Sequence, residues 1–266
     1  MRWTNRKIVV LLSLLIRSAP VYLGALFLSC APNSQPDCSE ANLAACGCII
    51  RGAGSESFDE GCLVSSGFVS RLQLLDEEDN PSYCTAFLIA PRKAITAAHC
   101  LNEYTFGAVI ESAGRKIPVA DIQRHPDYKY VSGGGSRSDF ALITLAEDGG
   151  ELFGGFAEGY PAISKKVFFI GYGAKLPGTT SGGALHSGEL EVKSVDAERI
   201  FAAAAEGQDF STCVGDSGGP ALVIEDKKPK VLGTVSTGSR PDCGPGDVSV
   251  LMRFTPTSLP ADWLGP

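Results

Sequence analysis

From Gly67 onward the chain is cut into short β-rich runs separated by turn clusters, and this punctuation limits the fold more than any other feature of the sequence. Phe68 to Leu72, Tyr104 to Glu111, Lys116 to Gln123, Phe140 to Leu145, Val167 to Tyr172, Glu189 to Val195, Pro220 to Ile224 and Val231 to Thr237 carry β-branched and aromatic side chains at strand length. Glycine and proline turns divide them, so an all-β sandwich or barrel is expected. Ala202-Ala203-Ala204-Ala205 is the one helix-like patch. Gly133-Gly134-Gly135-Ser136 and the Gly178 to Gly183 stretch read as mobile loops, and no internal repeat is visible. With 266 residues, 44% hydrophobic and 20% charged, the chain can build an ordinary apolar core as one large all-β unit or two small domains. Its net charge of −7 argues against nucleic acid, which demands basic patches.

Residues 215 to 220 read Gly-Asp-Ser-Gly-Gly-Pro, a string in which little serves core packing. Ser217 is therefore a candidate nucleophile. Flanking glycines open backbone conformations closed to other residues. They let the N–H groups of Gly215 and Ser217 face the same point as the hydroxyl, which is the donor pair an oxyanion needs. An ordinary glycine-rich turn is the bland alternative, and the segments upstream tell against it. Serine needs a base, usually a histidine oriented by a carboxylate, and the chain has three histidines. His99 stands in Thr-Ala-Ala-His-Cys, after the apolar run Ala86 to Ala90 and the turn Pro91-Arg92. Asp139 stands in Ser-Asp-Phe-Ala-Leu-Ile-Thr-Leu, at the mouth of a strand-like run.

In the order His, Asp, Ser these segments resemble the trypsin/chymotrypsin family of serine proteases. The resemblance implies two packed six-stranded antiparallel β-barrels, with His99 and Asp139 from the first and Ser217 from the second. It also implies a short C-terminal helix, with Ala261-Asp262-Trp263-Leu264 as its stub. Ser217 would attack a peptide carbonyl, His99 would take and return the proton, and Asp139 would fix the His99 tautomer. The resemblance further implies disulfides Cys84–Cys100 and Cys213–Cys243. The family's third bridge, near Gly-Tyr-Gly at 171 to 173, has no cysteine here; Val167, Phe168 and Phe169 suggest packing in its place.

The same resemblance puts Ser211 on the floor of the specificity pocket and Ser236, Thr237 and Gly238 along its wall. A neutral floor favours apolar or aromatic side chains, a chymotrypsin-like preference. Asp247 is the residue that can reach the pocket and restore a preference for cations. Asp216, just before the nucleophile, is implied to pair with an amine freed by activation cleavage. Ile49-Ile50-Arg51-Gly52 resembles such a start loosely, but Cys48 precedes it in place of a basic residue and Arg51 replaces a glycine. His125 reads as part of a loop packed on the first barrel, and His186, in a Gly/Ser-rich loop, as solvated. Proteins or peptides are the implied substrates, and no cofactor or metal is expected.

Arg2, Arg6 and Lys7, followed by apolar stretches at Ile8 to Ile16 and Pro20 to Ser29, read as an export signal over residues 1–30. Arg17 interrupts the stretch, which tells against a membrane span. Leu26-Phe27-Leu28-Ser29-Cys30 resembles a bacterial lipoprotein processing site, making Cys30 a candidate for lipidation and membrane anchoring in a bacterial, exported protein. A plain cleaved signal is the alternative. Both readings remove Cys30 from the pool of nine cysteines and leave an even number. Residues 31–62 form a Cys-rich segment or propeptide with Cys38, Cys46, Cys48 and Cys62. Their spacings lack zinc knuckles, so two local disulfides of open connectivity are expected in an oxidising compartment. Residues 63–266 would then be the protease domain, outside the cytoplasm as a secreted, periplasmic or lipid-anchored protein.

One rival reading is a catalytically silent protease-like binding protein at the cell surface, because fold does not determine function. The three intact motifs tell against it, and the missing activation sequence tells for it. An α/β-hydrolase is contradicted by chain order, since there the serine comes first.

Overall fold

A computed structural model describes residues 67–264, apart from 102–104, 106, 132–135, 151–154, 176–182, 209, 226–227 and 256, together with the backbone of two strands at 49–52 and 55–58. The expectations for residues 1–48, Cys62, and the Gly133 to Gly135 and Gly178 to Gly182 loops lie outside the described residues. Strands β1 (Ile49–Gly52) and β2 (Ser55–Phe58) pair as an antiparallel hairpin.

The turn-punctuated runs after Gly67 close into two six-stranded antiparallel barrels. The first comprises β3 (Val69–Leu75), β4 (Pro81–Ala90), β5 (Lys93–Thr96), β6 (Gly107–Ser112), β7 (Arg115–Arg124) and β8 (Ala141–Leu145). The second comprises β9 (Lys166–Gly171), β10 (His186–Val195), β11 (Arg199–Ala203), β12 (Pro220–Glu225), β13 (Lys228–Gly238) and β14 (Ser249–Arg253). Their orders, β3-β4-β5-β8-β7-β6 and β9-β10-β11-β14-β13-β12, are the same winding. Closure leaves neither barrel with a free edge.

Side chains on a strand alternate between its two faces, and here both faces of several strands are buried. In β9, Val167 and Phe169 point into the second barrel, whereas Phe168 and Ile170 point into a cluster shared with the first. In β8, Ala141 and Ile143 fill the first barrel while Leu142 joins the shared cluster. This explains why these strands read as continuous apolar runs rather than alternating ones. Val167, Phe168 and Phe169, standing where the third bridge is missing, are all buried in these cores. The shared cluster is aromatic. Phe254, after β14, stacks on Phe140 at 5.0 Å and meets Phe87 edge-on at 6.2 Å, joining residues of both barrels.

Two local expectations are corrected. Ala202 and Ala203 end strand β11, because the backbone pairs with β10 and β14 and the small Ala202 side chain fits the barrel interior. Pairing there overrides helix propensity. Residues 261–264 form a turn, not a helical stub; Trp263 anchors it by burial in the shared cluster. Among the described residues the 3₁₀ turn Ala98–Cys100 is the sole helical element, and no helix is long and apolar enough to cross a membrane. Replacing Phe254 by Ala should cost about 3–5 kcal/mol, measured as a lower urea midpoint with the disulfides intact.

Candidate active site

Pairing of Thr96 with Ala141 sets the end of β5 beside the start of β8. The residues just past one and just before the other, His99 and Asp139, therefore meet. A disulfide from Cys84 to Cys100 ties the His99 turn back to β4. The Asp139 carboxylate is fully buried and accepts three hydrogen bonds: from the His99 backbone N–H (2.8 Å), from His99 Nδ1 (2.7 Å) and from the Ser236 hydroxyl (2.5 Å). An ionised carboxylate only accepts, so Nδ1 donates its proton in this bond and Nε2 is left clear of it. Burial pushes the Asp139 carboxyl up, but the hydrogen bond and charge of His99 and the Ser236 hydroxyl outweigh it and hold the group below its ordinary value.

Ser217 enters from the second barrel, on the loop before β12. Thr85 of β4 fastens that loop to the first barrel: its N–H donates to the Ser217 carbonyl at 2.8 Å and its hydroxyl to the Gly215 carbonyl at 2.8 Å. Gly215 (φ 100°) and Gly218 (φ 84°) take the left-handed backbone that glycine permits. A Cβ at Gly218 would lie 2.3 Å from the Thr85 carbonyl, so nothing larger fits between the barrels there. Asp216, Gly218 and Gly219 donate their N–H groups to backbone carbonyls. The N–H groups of Gly215 and Ser217 have no acceptor among the described residues. The Ser217 hydroxyl donates to the Ser236 carbonyl at 3.2 Å rather than to His99, and both Ser217 and His99 line one cavity of about 330 Å³.

Ser236 is the extra residue where the β13–β14 register shifts between Val235 and Thr237. Such a bulge re-aims one side chain; here the hydroxyl faces Asp139 while the carbonyl faces Ser217. Sequence reasoning placed Ser236 on the pocket wall and missed its link to Asp139, and it missed Thr85 altogether. No local motif marks either residue.

The cavity is lined by Thr212, Cys213, Val235 to Arg240 and Cys243, and the Cys213–Cys243 disulfide closes one side. Ser211 and Asp247 stand behind this lining. The Ser211 hydroxyl donates to Asp247 Oδ2 at 2.7 Å, while Asp247 Oδ1 accepts from the Ser239 hydroxyl and the Arg240 N–H. Gly238, Ser239 and Arg240 of the lining all lie against this carboxylate, and a Cβ at Gly238 would fall 2.6 Å from Asp247 Oδ2.

His125 is half-buried, edge-on to Trp263 at 5.9 Å and to Phe140 at 6.4 Å. His186 corrects an expectation: it begins strand β10 and is not solvated, its side chain being 12% exposed with Nε2 at 3.3 Å from the buried Asp216. The Gly/Ser-rich composition beside it concealed this pairing. The segment Ile49–Gly52 is a strand of the uncut chain, paired with Ser55–Phe58.

Two barrels with serine, histidine and aspartate gathered at their junction define the class of serine peptidases. The chain belongs to the trypsin family: the family model described as Trypsin matches residues 66–264. It is 30% identical to the serine protease Hayan of Drosophila melanogaster over 58% of this chain and 30% of that protein. It is 37% identical to granzyme E of Mus musculus over 35% of this chain and 41% of that protein, so the match spans less than half of either relative. A trypsin of Saccharopolyspora erythraea is 28% identical over 60% of this chain and 77% of that protein. The solved structure of mouse neuropsin, a serine protease expressed in the limbic system, shares the fold with a TM-score of 0.55, at 22% identity over 71% of this chain and 90% of that chain.

The Asp139 environment gives a signed expectation. Because its folded pKa lies below the ordinary value of 3.8, the stabilisation is present above that value and is lost as pH falls through the folded one. The stability difference between wild type and Asp139→Asn, measured by urea unfolding, should therefore shrink steadily on acidification below pH 3.8.

Proposed function

We propose that this chain is an exported serine endopeptidase that cleaves peptide bonds through an acyl-enzyme on Ser217 and prefers Lys or Arg on the acyl side of the cut. The observation that carries the first half is the Asp139 carboxylate bound to both the ring and the backbone of His99, with Ser217 on the same cavity. On substrate entry the Ser217 hydroxyl turns from the Ser236 carbonyl toward His99 Nε2, a bond commonly loose in an empty site. Oγ then bonds to the carbonyl carbon as Nε2 takes the proton, and the Gly215 and Ser217 N–H groups receive the oxyanion. Collapse breaks the C–N bond, with His99 returning its proton to the amine; water repeats the sequence to free the acid.

For specificity, Ser211 alone would leave a buried ammonium or guanidinium without a partner, at several kcal/mol. The hydrogen bond from Ser211 to Asp247, a carboxylate that lies against the lining residues Gly238 and Ser239, supports an anionic pocket over the neutral one. The described disulfides are consistent with a place outside the cytoplasm. We extend the proposal to residues 1–30 as an export signal, with Cys30 as its lipidation candidate, and to 31–62 as a Cys-rich segment ahead of the peptidase domain.

Labelling with a fluorophosphonate should modify Ser217 in wild type and fail in Ser217→Ala, with peptide turnover reduced by orders of magnitude and the fold unchanged by circular dichroism. An unlabelled wild type would favour the silent binding protein instead. In a peptide library, cleavage should fall after Lys and Arg, and Asp247→Asn should lower that kcat/KM about 100-fold or more, the loss expected for a buried charge left unpaired. Preference for Leu, Phe or Tyr in wild type would return the floor to the neutral reading.

A further inference from the structure

Asp216 stands immediately before Ser217 and is fully buried. Its Oδ1 accepts the N–H of Gly173 and its Oδ2 the N–H of Cys213, each at 2.9 Å. Two amide dipoles do not neutralise a carboxylate away from water, and an unpaired buried charge destabilises whatever holds it. The cationic group in contact with it is His186, whose Nε2 lies 3.3 Å from Oδ1. The imidazole is fixed edge-on to Phe169, with ring centroids 5.8 Å apart. All of this exists in the uncut chain, in which Ile49–Gly52 is engaged as a strand.

We propose that His186 is a positioning residue: as an imidazolium it is the counter-charge of Asp216 and holds the loop bearing the Gly215 and Ser217 N–H groups in its working shape without activation cleavage. This rests on the reading of Ser217 as nucleophile. The connection is short. Asp216 fastens Gly173 and Cys213, and Gly215 and Ser217 flank it directly. A carboxylate that lost its cation would turn toward water and take both N–H groups with it.

The charged groups acting on the imidazole are Asp216 from the nucleophile loop and Lys175 from the segment after β9, and the sequence of β2, which touches β10, includes Glu56. Burial pulls the His186 pKa down, and Lys175 opposes its charge. The hydrogen bond and charge of Asp216 override both and leave it above the ordinary histidine value, although Nδ1 is buried with no hydrogen-bond partner among the described residues. With the folded pKa raised, the stabilisation is complete below the unfolded pKa and is lost as pH rises through the folded one. His186 must keep its proton to serve as the counter-charge. Activity therefore falls as pH rises through its folded pKa, and the alkaline limb of the kcat/KM profile belongs to His186.

The test uses the full uncut chain. In the Ser217→Ala background, which removes turnover from the question, NMR titration of the histidines should show His186 holding its proton above the ordinary range, and adding Asp216→Asn should lower that pKa. In the active chain, His186→Gln keeps a hydrogen-bond donor but no charge. It should lower kcat/KM about 10–100-fold at neutral pH, chiefly through kcat because the donors it positions act on the oxyanion, and abolish the alkaline limb. Combining His186→Gln with Asp216→Asn should recover part of that loss, because the uncompensated charge is gone; a packing role would give additive losses. A His186 that titrates at or below the ordinary value, or a His186→Gln enzyme with wild-type kcat/KM and alkaline limb, overturns the proposal. A high-titrating His186 in a wild-type chain inert to peptides and fluorophosphonate overturns the reading of Ser217, and the positioning role with it.

Discussion

The apolar cluster shared by the two barrels is the constraint on which the rest of the structure depends. His99 and Asp139 belong to one barrel and Ser217 to the other, so their separation is set by how the barrels pack. Hydrogen-bond chemistry tolerates errors of only a few tenths of an ångström, and a close-packed aromatic interface supplies that rigidity. Phe254 and Phe140 stack across the junction, and Thr85 adds a polar clamp at the point where the nucleophile loop crosses it. Burying both faces of β8, β9 and β12 leaves little freedom for one barrel to slide on the other.

Within that frame the site is organised around buried carboxylates. Asp139, Asp216 and Asp247 are all nearly inaccessible to water, and each is met by several donors. Two are also met by histidines: Asp139 by His99 and Asp216 by His186. The two pairs have opposite electrostatic characters. In one, the carboxylate orients a ring whose outer nitrogen stays free; in the other, the ring is enclosed and its charge is the useful property. Asp247 has hydroxyl and amide donors but no cation in contact among the described residues.

The two barrels repeat one winding order although the sequence has no visible repeat. Barrel closure requires only strand length, alternation and turns, and many side-chain sets satisfy those demands. A shared topology therefore left no trace in residue identity, whereas the functional residues differ between the halves because each half contributes different chemistry.

Local chemistry was legible in the sequence. The β-rich runs are strands because their side chains suit pleated, buried surfaces, and the glycines around Ser217 mark a loop with little room. The order of the His99, Asp139 and Ser217 segments was likewise plain, since each motif is contiguous. Strands β5, β11 and β14 were not read, being short or bounded by weak turns, and Ala202 and Ala203 were misread because propensity yields to pairing. Only the tertiary structure brought out the partners of Thr85, Ser236, Asp247 and His186. Each acts through a partner remote in the chain, and those meetings depend on barrel closure, strand register and one bulge at Ser236. Such relations follow from packing the whole chain at once, so no window of sequence contains them.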